Sequence, residues 1–251
     1  MIRYFWRRFQ IKMCQAVNNY PEFKYILENY KEICYNINNA KIKFNRENSN
    51  VDLMAVTKTV EPEKINFAIE NGITLLGENR VQEYLSKKDL YNKNADVHFI
   101  GHLQTNKVKY IVNEVKMIQS VDSVKLAREI NRLSEKNNKV MDILVEVNIG
   151  NELSKSGVSK EMLFEFIKEI STFKNISVCG LMAIPPIGSD ESVFNDMHEL
   201  FIKAGDMKID NVSMKTLSMG MSGDYELAIK HGSNLVRIGT KLFGARKYLE
   251  V

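Results

Sequence analysis

The sequence predicts an α/β protein built as a single-domain (β/α)8 barrel of the TIM type, with one additional helix before the first strand. Three observations lead to this fold class. The length of 251 residues suits one large barrel domain. Short apolar runs rich in β-branched residues recur eight times along the chain. Each run is followed by a segment with amphipathic helical spacing, which is typical of parallel βα units.

The predicted elements alternate along the whole chain. A leading helix is predicted from Glu22 to about Lys43, because apolar residues recur there at helical spacing. Pro62 suits the first turn of the helix after strand one, and Asp122 or Ser123 can cap the helix after strand four. The predicted strands are Val51–Thr57, Ile73–Leu76, Val97–Ile100, Met117–Val121, Met141–Val147, Ile176–Met182, Met214–Leu217 and Leu235–Ile238.

A doubly wound open sheet is the structural alternative to the barrel. It fits less well, because no glycine-rich dinucleotide loop follows the first strand. No linker rich in Pro, Gly or Ser divides the chain, so we expect one domain.

The composition is that of an ordinary globular protein, with 44% apolar and 26% charged residues. The net charge is only +4, and the 35 basic side chains are interspersed with 31 acidic ones, so no nucleic-acid partner is predicted. The cysteines are Cys14, Cys34 and Cys179, and they form neither an even set nor a metal-ligand spacing. A reducing compartment, the cytoplasm, is therefore predicted.

Residues 1–20 are predicted to be an extension that precedes the domain at residues 21–251. The segment Ile2–Phe9 mixes aromatic residues with arginines. A segment of this kind can lie on a membrane surface, or it can be a poorly ordered overhang with an alternative start at Met13. It lacks the apolar stretch and cleavage site of a signal peptide, so neither secretion nor a membrane span is expected.

Functional residues of such barrels lie at the carboxyl ends of the strands, and phosphate often binds near strands seven and eight. The segments Ser218–Ser222 and Gly239–Thr240 are predicted there, and Gly77–Asn79 are predicted to follow strand two. Glycine bares backbone N–H groups that can cradle a phosphate. Tight turns also use glycine and serine, so it is the adjacency of two such loops that favours an anion site.

Two basic residues are candidates for the chemistry of the site. Lys58 directly follows the apolar strand Met54–Thr57, where desolvation favours the neutral amine needed as a nucleophile. A lysine at a strand end can equally extend into solvent. Arg237 lies within strand eight, where a buried guanidinium needs a partner that accepts its protons. That partner is either a structural carboxylate or a ring nitrogen of a cofactor.

The histidines do not predict a metal site. His98 and His102 flank Gly101, but their spacing matches no metal-binding motif and no third ligand follows closely. We predict structural roles for both, and we expect no metal.

Several blocks together resemble the pyridoxal phosphate homeostasis protein family, and the resemblance extends from about Tyr25 to Tyr248. Each block alone is weak, but the set in this order is highly specific. The blocks are Met54–Lys58, Gly77–Asn79, Val81–Glu83, His98–Lys107, Lys155–Gly157, Gly180–Ile184, Leu217–Ser222 and Val236–Thr240.

The resemblance implies that the chain binds pyridoxal 5'-phosphate (PLP) and carries it as a Schiff base on Lys58. It further implies that Arg237 faces the pyridine nitrogen and that the fold is similar to the barrel of bacterial alanine racemase. A monomer is also implied. Residues expected to contact the phosphate are Ser218, Ser222, Gly239 and Thr240, and further cofactor contacts are expected from Asn79 and Met219.

Two functions follow from this site, and a PLP carrier is the one we predict. Arginine cannot take the ring proton, so the cofactor should be a weak electron sink, which disfavours transamination. The chain ends at Val251, and no source for the second base of an alanine racemase is expected. The predicted role is intracellular PLP, vitamin B6 and amino-acid homeostasis, with PLP-dependent apo-enzymes as transient partners. A slow PLP-dependent racemase or lyase that uses Lys58 is the alternative.

Lys155 in the predicted loop after strand five has no assigned role. A solvated loop lysine is one interpretation. The alternative hypothesis is that it borders the exit route of the cofactor or a second, transient cofactor position.

Overall fold

A computed structural model describes residues 20–152 and 155–245 of the chain. Its eight strands are all parallel, each pairs with the next in sequence, and strand eight closes on strand one. The predicted (β/α)8 barrel is therefore confirmed, together with the additional helix before it.

The elements have the following bounds. The strands are β1 (Asp52–Val56), β2 (Leu75–Glu78), β3 (Asp96–Phe99), β4 (Met117–Val121), β5 (Met141–Val147), β6 (Ile176–Ala183), β7 (Val212–Ser218) and β8 (Leu235–Ile238). The helices are α1 (Lys24–Lys43), α2 (Pro62–Glu70), α3 (Val81–Lys87), α4 (Val108–Ile111), α5 (Val124–Lys136), α6 (Leu163–Ile170), α7 (Glu191–Asp206), α8 (Tyr225–Lys230) and α9 (Thr240–Phe243). Short 3-10 turns lie at Pro21–Phe23, Lys88–Leu90 and Thr105–Lys107.

The apolar residues separate into two layers. The larger one lies between the outside of the barrel and its helices, where side chains such as Leu76 and Phe99 are completely buried. A smaller cluster of Met54, Ile100 and Leu235 fills part of the barrel interior. Successive residues of a strand point to opposite sides of the barrel wall, which explains why each strand serves both layers.

Helix α1 covers one side of the barrel and contacts the last helix. Tyr25 Oη donates to the carbonyl of Phe243 over 3.1 Å, and Asn29 Nδ2 donates to that of Leu242 over 3.0 Å. The predicted extension at residues 1–20 lies outside the described residues except for Tyr20. Among the described helices, none is long and apolar enough to cross a membrane.

The predicted end of strand two is wrong by two residues. Gly77 and Glu78, predicted to follow the strand, are instead part of β2, which ends at Glu78. A Cβ at Gly77 would lie 2.7 Å from the sulfur of Met54 and 2.9 Å from Ile100 Cδ1, so a larger residue would require these two side chains to move. Glu78 is completely buried in the strand, and it is tolerated there because its carboxylate accepts a hydrogen bond from Thr57 Oγ1 over 2.7 Å.

Strand seven is longer at both ends than the predicted Met214–Leu217. Ser218 is its last residue and pairs with Leu235 of β8, so it belongs to the barrel wall and not to the loop that follows. The helix caps agree with the prediction: Pro62 lies in the first turn of α2, and Ser123 Oγ accepts a hydrogen bond from the N–H of Leu126.

Candidate functional site

Lys58 lies in the turn after β1, at the carboxyl end of the barrel. It is half-buried, and together with Val56 it lines a cavity of about 490 Å³. Gly239 and Thr240 line the same cavity, because β1 and β8 are paired neighbours. The structure thus brings the candidate amine next to the loop that follows strand eight.

The loops after β7 and β8 meet at this end of the barrel. Thr240 Oγ1 donates to Ser222 Oγ over 3.3 Å, and the N–H of Lys241 donates to the same oxygen over 3.3 Å. Gly220 has a φ of +94°, and a Cβ there would lie only 2.6 Å from Ala228 Cβ, so this turn requires glycine. The two loops predicted to surround an anion are therefore adjacent.

Two residues of the predicted set are completely buried instead of exposed at the rim. The side chain of Met219 has no exposure, and its carbonyl accepts a hydrogen bond from Ser233 Oγ over 2.7 Å. Ser218 Oγ donates to Gln119 Oε1 over 2.8 Å. Since β4 and β7 are not neighbours, this bond crosses the interior of the barrel.

Arg237 is only 4% exposed and points into the barrel. One Nη donates to Ser218 Oγ and the other to the carbonyl of Ala183, both over 2.7 Å. Burial lowers the pKa of Arg237 to about 10, so it remains a cation at neutral pH. Its two bonded partners are a hydroxyl and a carbonyl, both uncharged, so the hydrogen bonds leave its positive charge unneutralised.

A line of hydrogen bonds extends from Arg237 across the barrel to β3. Beyond Ser218, Gln119 Nε2 lies 2.9 Å from His98 Nδ1. Burial lowers the pKa of His98 to about 4, so its ring is neutral and serves as a hydrogen-bonding partner, in agreement with the predicted structural role. Sequence reasoning missed Gln119, although an amide within an apolar strand was the available signal.

Glu146 on β5 is a second residue that sequence reasoning missed. It is 7% exposed, and its Oε2 has no hydrogen-bond partner among the described residues. Burial, reinforced by the nearby Asp122 and opposed by Arg237, raises its pKa from 4.5 to about 7. A buried carboxyl group with this pKa can hold or release a proton at neutral pH.

Asn79 follows β2 and is half-buried. Its Oδ1 is buried and has no hydrogen-bond partner among the residues that the structure describes. Gly101 packs directly against it, since a Cβ at Gly101 would lie 2.1 Å from the carbonyl oxygen of Asn79. An unsatisfied amide oxygen at this end of the barrel is an acceptor available to a bound ligand.

The remaining sequence candidates lie at the surface of the same end. His102 is exposed, and its Nδ1 lies 3.1 Å from Ser156 Oγ and 3.5 Å from Asp122 Oδ2. Lys155 is exposed in the loop after β5, where its N–H donates to the carbonyl of Glu152. Within residues 20–152 and 155–245, no group of three or more His, Cys, Asp or Glu side chains could hold a metal ion.

Comparisons with known proteins identify the family of the chain. The family model of the alanine racemase N-terminal domain matches residues 29–247. The pyridoxal phosphate homeostasis protein of Aquifex aeolicus is 45% identical over 202 residues, which is 78% of this chain and 87% of that protein. The protein of the same name from Escherichia coli is 32% identical over 228 residues, covering 89% of this chain and 97% of its own length.

Solved structures give the same result. PipY of Synechococcus elongatus, solved with PLP bound, has a TM-score of 0.66 and 30% identity over 77% of this chain and 92% of its own. An unknown protein from Bifidobacterium adolescentis has a TM-score of 0.83 and 32% identity, covering 88% of this chain and 95% of its own. Alanine racemase of Clostridium difficile, at 15% identity and a TM-score of 0.68, shares the fold. By its sequence and its barrel, this chain belongs to the pyridoxal phosphate homeostasis protein family.

Proposed function

We propose that this protein binds PLP, carries it as a Schiff base on Lys58, and acts in intracellular PLP and amino-acid homeostasis. The observation that carries the proposal is a cavity at the carboxyl end of β1 and β8, which is also lined by residues of the leading segment such as Phe23 and Tyr25. Lys58 lines it with Gly239 and Thr240, and Thr240 is bonded to Ser222 of the neighbouring loop. The relative PipY has been solved with PLP bound. When bound, PLP supplies an aldehyde for a primary amine and an electron-withdrawing pyridine ring.

The loops after β7 and β8 are the proposed phosphate site. Ser222 and Thr240 provide hydroxyl groups, and Gly239 leaves the backbone accessible at the start of α9. Met219 can contribute only through its backbone, since its side chain is buried. On the same rim, after β2 and two strands from β8, Asn79 Oδ1 is an unsatisfied acceptor among the described residues that can receive a hydrogen bond from the cofactor.

Arg237 is the residue that we propose faces the pyridine nitrogen. Ser218 then acts through Arg237, because its hydroxyl accepts from the guanidinium and donates to Gln119. Arginine donates hydrogen bonds but does not give up a proton, so the ring nitrogen stays unprotonated. A cofactor held in this way withdraws electrons weakly, which favours storage and transfer over transamination.

One observation favours the rival function, a slow racemase or lyase. Glu146 on β5 is a buried acid with a pKa of about 7, and the positive charge of Arg237 acts on its carboxyl group. Such a group can take up and return the α-proton of an amino acid. The rival predicts α-proton exchange when the PLP-loaded protein is incubated with amino acids in deuterated water, and loss of that exchange in Glu146→Gln. The carrier predicts no exchange above free PLP in either protein.

The proposed carrier is a cytoplasmic monomer that hands PLP to apo-enzymes. Residues 21–251 are the proposed PLP-binding domain, preceded by the extension at residues 1–20. A chain that begins at Tyr20 should take up PLP as the full chain does, and light scattering should give the mass of one chain. Transfer is checked by mixing the loaded protein with a PLP-dependent apo-enzyme. Reactivation should be faster than with the same concentration of free PLP.

The direct test of binding is an absorbance spectrum of the purified protein after addition of PLP. The proposal predicts a Schiff-base band near the edge of the visible range that disappears on borohydride reduction. Lys58→Ala should lack the band, whereas Lys125→Ala, at an exposed position on α5, should retain it. A wild-type protein that takes up no PLP would contradict the proposal.

A further inference from the structure

The turn that carries Lys58 is held from behind the barrel wall by a buried lysine. Lys87, at the end of α3, places Nζ 3.1 Å from the carbonyl oxygen of Thr57 and 3.4 Å from that of Val60. These two carbonyls bracket Lys58 in the chain. One ammonium group therefore closes the turn from both sides, and Lys87 is almost completely buried in doing so.

Two carboxylates complete this arrangement. Glu83 Oε1 accepts from Lys87 Nζ over 2.8 Å and from the N–H of Thr59 over 2.5 Å. Although burial opposes it, these two hydrogen bonds lower the pKa of Glu83, so its carboxylate is ionised at neutral pH. Glu78 accepts hydrogen bonds from Thr57 Oγ1 and from Tyr91 Oη. Its Oε1 also lies 3.7 Å from Lys87 Nζ.

The backbone of this turn is in a conformation that needs such support. Thr59 has a φ of +61°, a left-handed conformation that β-branched residues rarely adopt. A strained residue persists only where surrounding contacts determine its position. The contacts that do so here are Glu83, through the N–H of Thr59, and Lys87, through the carbonyls on either side.

We infer that Lys87 and Glu83 are the positioning residues of Lys58, holding the turn so that its amine meets the aldehyde of the cofactor. This inference rests on the proposed function. Tethering joins the Lys58 nitrogen to the aldehyde carbon and releases the aldehyde oxygen as water, so no further reactant is needed. The reaction depends on geometry, and a displacement of about 1 Å can change a rate about 100-fold.

The test compares Lys87→Met with Lys88→Met. Methionine keeps most of the length of Lys87 but removes its charge and its donors. Lys88 is the adjacent lysine, paired with Glu114 outside this network, and serves as the matched control. The measured quantity is the tethered fraction, which is the amount of PLP trapped by borohydride divided by the total PLP bound. A residue needed only for folding would change total binding and melting temperature, but not this ratio.

We expect the tethered fraction to fall about tenfold in Lys87→Met and to stay unchanged in Lys88→Met. A second pair decides the matter if Lys87→Met does not fold. Glu83→Gln keeps an oxygen that accepts from the N–H of Thr59, and should retain most of the tethered fraction. Glu83→Leu removes that acceptor and should lose it.

An unchanged ratio in folded Lys87→Met or folded Glu83→Leu would overturn the inference while leaving the proposed function intact. A wild-type protein that binds PLP but shows none trapped would overturn the tether itself, and the positioning role with it. The two failures are distinguished by the wild-type sample alone.

Discussion

The polar groups inside the barrel and those behind its wall are satisfied in different ways. Behind the wall, Lys87 is surrounded by two carboxylates and two carbonyls. Inside, the guanidinium of Arg237 donates to a hydroxyl and to a carbonyl of the described residues, neither of them charged. One oxygen of Glu146 has no partner among the described residues. In the outer set of Lys87, Glu78 and Glu83, Glu78 Oε2 is also buried without a partner among the described residues. The two sets differ in that the described residues give the outer set an ion pair, at Lys87, and give the inner set of Arg237 and Glu146 none.

This difference indicates that the two sets have different roles, one structural and one in binding a ligand. An ion pair that is also held by several hydrogen bonds is stable in one geometry, and losing a single member is costly. A buried cation without an ion-pair partner has charge left over for a ligand. The outer set therefore fits a fixed framework for the turn at Lys58, and the inner set fits a binding surface.

The largest effect on stability is expected when Glu78 is removed from the outer set. Glu78→Leu should lower the free energy of unfolding by about 3 kcal/mol, because Lys87, Thr57 and Tyr91 lose a buried acceptor. Urea denaturation measures the change. Glu114→Leu, which removes the surface partner of Lys88, is the control and should cost less than about 1 kcal/mol. Equal losses in the two variants would contradict the distinction.

Glu146 of the inner set should make the free energy of unfolding depend on pH. Burial raises the pKa of Glu146 in the folded protein to about 7. The carboxyl therefore does not lower the free energy of unfolding below its ordinary pKa of 4.5, and lowers it increasingly as the pH rises from 4.5 to about 7. Glu146→Gln removes this titration, so the variant should gain about 3 kcal/mol over the wild type between these pH values. Burial lowers the pKa of His98, so its contribution to stability changes with pH in the opposite sense. His98 is present in both proteins, so this contribution cancels in the comparison. A pH-independent difference would refute the assignment.

A smaller effect is expected from the hydroxyl that orients Arg237. Ser218→Ala removes an acceptor from the guanidinium and a donor to Gln119, which should cost about 2 kcal/mol of stability and speed PLP release. The comparison variant is Ser171→Ala, whose hydroxyl donates to the carbonyl of Lys168 at the surface. It should change stability by less than about 0.5 kcal/mol. If PLP release is the same in both, Ser218 does not act through Arg237.

The barrel was predictable from the sequence because its signals are local. The run Met141–Val147 is mostly apolar, with Asp142 and Glu146 as its polar residues, as expected for a strand buried on both faces, and the observed β5 has those bounds. The error at Gly77 arose because glycine has two uses, and only the packing of Met54 and Ile100 shows that a close approach was the reason. Local pattern cannot tell a turn from a close contact between neighbouring strands.

The site was predictable only in part, for a similar reason. Lys58, Ser222 and Thr240 follow strands directly, so the topology of the barrel brings them together. The partners of Lys87 depend on how α3 packs against the turn after β1, and the line from Arg237 to His98 crosses between strands that are not neighbours. Such contacts are set by tertiary packing, which no spacing in the sequence records.

The central claim, that Lys58 is the tether, is tested most directly by mapping the reduced adduct. The PLP-loaded protein is treated with borohydride, digested and analysed by mass spectrometry. The account predicts one phosphopyridoxyl group per chain, on the peptide that contains Lys58. Label spread over exposed lysines, or concentrated on a lysine other than Lys58, would contradict it.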